Sequence, residues 1–163
     1  MRRILLALIM ATTVTAFSAS PASAIKPTRE PLGELEDLTH TGACPFDVLD
    51  HIVQNKEILT TFFDQDGDIV RESITGVLKT ELTNLETMES VVLNISGSGT
   101  FVPQEDGSTL VHGKGSWLQY DIANRPRELL WTRGGFHAVS TSDDDYILTD
   151  PPGNIVDVCR LLS

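Results

Sequence analysis

Two cysteines, Cys44 and Cys159, stand near the two ends of the part of this chain that folds, and the apolar runs between them are all short. A crosslink there closes almost the whole domain into one loop, so the fold has to bring its beginning and its end together. In an exported chain an even pair of cysteines reads first as a disulfide. Closing so long a loop removes roughly 4 to 5 kcal/mol of denatured-state freedom in the entropic account. The competing use of Cys44 as a nucleophile lacks support, because Pro45 and Phe46 follow it, no helix start is evident, and the sequence places none of the histidines beside it.

Export is read from the first residues. Arg2 and Arg3 supply a positive start, Ile4 to Phe17 form an apolar stretch interrupted only by threonines, and Ala22-Ser23-Ala24 fits the small-x-small pattern of signal-peptidase cleavage. Residues 1–24 are therefore expected to be a secretory signal and the protein to be secreted. The apolar stretch is short for a membrane span and carries Thr12, Thr13 and Thr15, and no second run of membrane length follows. Cleavage after Ala24 leaves 139 of the 163 residues, enough for one domain with a real core. Loss of the two arginines takes the net charge from −11 to −13. A surface of that sign repels phosphate backbones and anionic lipid, which argues against nucleic-acid and membrane partners. It suits solubility outside the cell, a cation or a basic partner, and its simplest meaning is a solvated acidic surface.

Residues 25–43 hold Pro27, Pro31 and several charges with little apolar periodicity, and read as a flexible leader with one helical turn at 32–38. The domain is expected over 44–163. There, β-branched and aromatic residues come in short runs separated by turn chemistry. Asp66-Gly67 and Asp106-Gly107 are hairpin signals, and Gly134-Gly135 reads as a third turn, between runs at 129–133 and 136–140. Leu78 and Leu82 share one face of their run against Lys79 and Glu81, the alternation of a sheet wetted on one side. After Pro151-Pro152-Gly153, the residues Ile155, Cys159 and Leu162 fall at helical spacing, which predicts a short C-terminal helix. The expected fold is all-β, an antiparallel barrel or sandwich of about eight to ten short strands closed by that helix.

Several of these segments together resemble a family. Cys44-Pro45-Phe46-Asp47-Val48, Leu82-Thr83-Asn84, Asn94-Ile95-Ser96-Gly97-Ser98-Gly99, Asp106-Gly107 and Val156-Asp157-Val158-Cys159 are similar to an uncharacterised family of small secreted actinobacterial β-rich proteins. The resemblance spans nearly the whole domain and rests mostly on turn chemistry. It implies an exported bacterial protein with this cysteine pair, and no catalytic residues.

Candidate chemistry is sparse. Asp64, Asp66 and Asp68 invite a calcium reading, but an EF-hand loop begun at Asp64 needs glycine where Ile69 stands and glutamate where Thr75 stands. A hairpin turn is the simpler use of Asp and Gly. Asp143, Asp144 and Asp145 read as a second acidic loop. Ser96-Gly97-Ser98-Gly99 lacks the spacing of a nucleophile elbow and the lysine of a phosphate loop, and fits a strand connection or bulge. Gly113-Lys114-Gly115-Ser116 reads as a turn. His40, His51, His112 and His137 show no close ligand spacing. Trp117, Tyr120 and Trp131 remain. Neighbouring strands would bring the two tryptophans close, with Tyr120 on the opposite face from Trp117, as an aromatic wall for a small apolar ligand or as plain core. No cofactor is implied. The expected function is a secreted non-enzymatic binding or structural module. The alternative is a β-barrel whose internal pocket carries a small apolar ligand or acts as an isomerase or cyclase, to be recognised by a cavity lined with aromatics.

Overall fold

The computed structural model describes residues 25–163 except 121, 124, 125 and 142–145. The expected signal segment and the Asp143–Asp145 cluster therefore lie outside the described residues. Fourteen strands and no α-helix are found among the described residues. They form three antiparallel sheets. The largest has seven strands in the order β1 (Thr28–Pro31), β4 (Ile58–Phe63), β5 (Ile69–Thr75), β8 (Ser98–Pro103), β9 (Thr109–Lys114), β12 (Phe136–Ser140) and β13 (Tyr146–Asp150). A four-stranded sheet runs β2 (Leu38–His40), β3 (Val48–Asn55), β6 (Leu78–Asn84) and β7 (Ser90–Asn94). The third holds β10 (Ser116–Gln119), β11 (Leu130–Arg133) and β14 (Asn154–Asp157).

The small sheet lies between two apolar cores, because strand side chains alternate. Leu118 pairs with Trp131 across β10 and β11, and both pack against the core of Val48, Leu82, Leu93, Leu129, Val158 and Leu162 on the four-stranded side. One residue along, Trp117 and Leu130 point the other way, into the core of Val111, Phe136, Ala138 and Leu148 on the seven-stranded side. The architecture is sandwich-like, and among the described residues no sheet closes into a barrel.

Asp66-Gly67 and Asp106-Gly107 turn β4 into β5 and β8 into β9, as read from the sequence, with Gly67 and Gly107 at φ +94° and +83°. Gly134-Gly135 does something else. Gly134 has φ +114°, but β11 before it and β12 after it belong to different sheets, so the pair is a crossover and not a hairpin. The C-terminal helix is absent. Ile155 lies in β14, which supplies β11 with its second hydrogen-bonded neighbour. Asp157 ends that strand by accepting the Cys159 N–H at 2.9 Å, which leaves only a single turn before Leu162 enters the core. Backbone pairing to an open edge outweighs a weak helical spacing.

Residues 25–43 are also more than a leader. β1 pairs with β4 and β2 with β3, and 32–38 contains no helical turn. The Leu32 N–H donates to the Glu57 carbonyl at 3.0 Å, and the Asn55 side chain donates to the Gly33 carbonyl at 2.7 Å. An extended, proline-containing segment suits a sheet edge, where proline's missing N–H costs nothing. Cys44 and Cys159 are disulfide-bonded with Cα atoms 5.4 Å apart, joining the entry of β3 to the end of the chain.

Candidate functional site

The aromatic group does not form a single wall. Trp117 stands opposite Thr132 and Trp131 opposite Leu118, so the two indoles leave the small sheet on opposite faces. Tyr120 follows Trp131's side, in accord with its expected opposition to Trp117. Trp131 donates through Nε1 to the Ser116 hydroxyl at 2.8 Å and carries the Arg133 guanidinium 3.9 Å above its ring. Trp117 packs edge-on against Phe136, with centroids 5.5 Å apart, and donates its indole N–H to the Lys114 carbonyl at 3.0 Å. Gly97 makes room for it, since a Cβ there would stand 2.0 Å from the indole nitrogen. The Ser96–Gly99 stretch is thus explained by close approach and strand entry.

On the Trp117 side a cleft of about 230 Å³ opens between the small sheet and the seven-stranded sheet. Phe101 and Val111 supply one wall, and Trp117, Gln119 and Tyr146 line the remainder together with Leu118 and Tyr120. Gln119 shares its strand face with Trp117 and is 4 % exposed. Its side-chain amide has no hydrogen-bond partner at either the oxygen or the nitrogen among the described residues. A buried amide left unpaired costs about 1 to 3 kcal/mol per group. Such a group at the wall of an apolar cleft calls for an explanation.

Tyr146 is held above the cleft by the backbone. Ile122 makes an isolated parallel bridge to Tyr146, and the Ala123 N–H donates to the Tyr146 carbonyl at 2.8 Å. Burial pushes the Tyr146 phenol well above its ordinary pKa, because the phenolate would be charged in an apolar place. It therefore serves as a neutral hydroxyl. Tyr120 is fixed from the other side. Its hydroxyl donates to the Thr41 carbonyl at 3.1 Å, and its ring lies 4.6 Å from that of His40. His40 is itself buried, with Nε2 3.2 Å from Asp50 Oδ2, while the Thr80 hydroxyl donates to the other Asp50 oxygen. This network ties β2, β3 and β6 together behind Tyr120. No serine or cysteine stands on the imidazole in these contacts, so it reads as a support.

The acidic turn has a local purpose. Asp64 Oδ1 accepts the N–H groups of Asp66, Gly67 and Asp68 at 2.9, 3.0 and 2.9 Å. Asp66 and Asp68 belong to that same exposed turn. No set of three or more potential metal ligands comes together among the described residues.

Sequence reasoning singled out Trp117 and Tyr120 but missed Gln119 and Tyr146. The signal for Gln119 was a polar residue two places after an inward tryptophan, and it becomes legible only once the strand's inward face is known. Comparison with family models, curated proteins and solved structures finds no match to this chain.

Proposed function

We propose that this protein is an exported, non-enzymatic binding module that takes a small, mostly apolar ligand in the Trp117–Gln119–Tyr146 cleft. The observation that carries the reading is the unpartnered Gln119 amide, closed off beside an aromatic-lined cleft to which a rotation of the side chain would present it. A primary amide offers an acceptor and a donor side by side, so the complementary ligand carries a donor and an acceptor on one edge, as a lactam or a carboxamide does. The volume suits a bicyclic body, since a cavity of about 150 Å³ already holds benzene. Among the described residues the polar groups of the cleft are the Gln119 carboxamide and the Tyr146 phenol, which suit binding better than turnover. The disulfide, which persists in oxidising compartments, supports export.

The test uses 2-quinolone, which presents N–H and C=O on one edge, and naphthalene, which has the same outline without them. Calorimetry should show saturable binding of 2-quinolone and at least about tenfold weaker binding of naphthalene, the discrimination that a pair of buried hydrogen bonds provides. Equal affinity for the two, or no binding of either, rejects the assignment of Gln119 as the recognition group.

A further inference from the structure

The solvent-facing side of the seven-stranded sheet carries a row of polar side chains in register. Ser73 pairs with Thr100, Thr100 with His112, His112 with His137, and His137 with Asp150. Two residues further along the same face stand Thr75, Ser98 and Lys114, with Ser98 opposite Lys114. The intervening residues Ile74, Phe101, Val111 and Phe136 point inward, so all of these polar groups share the outer face. Ser73, Thr75, Ser98, Thr100, His112, Lys114 and His137 line a hollow of about 450 Å³.

Its chemistry differs from that of the rest of the surface. The chain has 23 acidic residues against 12 lysines and arginines, yet among the described residues an ammonium and two imidazoles line this hollow and the Asp150 carboxylate stands at its edge beside His137. Among the described residues the four hydroxyls and the Lys114 ammonium have no protein hydrogen-bond partner. The imidazoles are mutually oriented, with rings edge to face at 4.7 Å, and Asp150 stands 3.4 Å from His137 Nδ1, which leaves Nε2 of that ring uncommitted.

We propose that this hollow is a second binding site, for a small ligand bearing a tetrahedral oxyanion, a phosphate or sulfate ester, on a hydroxyl-rich body. Lys114 and the imidazoles supply charge-assisted donors to the oxyanion. The four hydroxyls donate and accept, which suits a sugar-like body, and the volume exceeds what a bare oxyanion fills. The acidic remainder of the protein does not forbid this, because exposed charges beyond about 8 Å are largely screened at physiological ionic strength. The site lies on the opposite face of the sheet from the Gln119 cleft, so either can exist without the other.

Calorimetry at physiological ionic strength, where the acidic remainder is screened, with glucose 6-phosphate, glucose 6-sulfate and glucose tests it. Saturable binding of one or both esters with none of glucose is expected, and comparison of the two esters tells which oxyanion the site prefers. Lys114→Gln, at an exposed position, should weaken ester binding by about tenfold or more, the worth of one charge-assisted hydrogen bond. His112→Gln should weaken it as well, and Gln119→Leu should leave it unchanged. No saturable binding of either ester at about 10 mM, glucose binding as tightly as its esters, or full affinity in Lys114→Gln overturns the proposal.

Discussion

Replacing Gln119 with leucine should make the unliganded protein more stable while abolishing recognition in the cleft. In the native structure the amide oxygen and nitrogen are both buried without partners, next to Phe101, Val111 and Trp117. Each unsatisfied group costs about 1 to 3 kcal/mol, and a partner-free amide is the case in which an apolar replacement of similar size is neutral or better. Part of that gain is lost because leucine is branched where glutamine is not, so a net stabilisation of about 1 to 3 kcal/mol is expected. For a domain of this length the melting temperature should rise by about 3 to 5 °C per kcal/mol. Guanidinium unfolding followed by tryptophan fluorescence measures it, with an unchanged denaturant slope showing that the folded state is the same. In parallel, 2-quinolone binding should fall to the level of naphthalene. A variant destabilised by more than about 1 kcal/mol would show that the amide is satisfied in solution, and the reasoning from an unpaired group would fail.

Cys44→Ser with Cys159→Ser should lower stability by about 4 to 5 kcal/mol, read as a shift of the denaturation midpoint, because 115 residues of chain separate the two cysteines. Gly97→Ala should cost about 1 to 3 kcal/mol and change the Trp117 fluorescence, since the added Cβ would stand 2.0 Å from the indole nitrogen and force the ring off the Lys114 carbonyl. Glu57 is buried, and burial raises its pKa above the ordinary carboxylate value. The folded state then holds this proton more tightly than the unfolded chain, so its contribution to stability is greatest at acid pH and declines as pH rises through the folded-state pKa. Glu57→Gln should accordingly be more stable than the parent at pH 7, with the difference shrinking toward pH 4; a difference that grows on acidification contradicts this sign.

The all-β class, the disulfide and two hairpins were legible in the sequence because each rests on local chemistry or on covalent logic. Asp66-Gly67 and Asp106-Gly107 make turns wherever they stand between β-formers, and an even pair of cysteines in a chain read as exported has one dominant use. What depended on tertiary structure was everything in which one strand answers another. The spacing of Ile155, Cys159 and Leu162 favours a helix only until β11 offers an unpaired edge. Gly134-Gly135 permits a positive φ but does not say which sheet the chain enters next. Residues 25–43 read alone as a flexible leader, yet Thr28–Pro31 and Leu38–His40 within them become strands against β4 and β3. The cleft follows the same rule: Trp117 and Trp131 are fourteen positions apart with identical chemistry, and only the register of β10 on β11 sends them to opposite cores. That register also buries Gln119. A polar side chain in a strand is unremarkable until its face is known, because alternation says that neighbours diverge and never which of them goes inside.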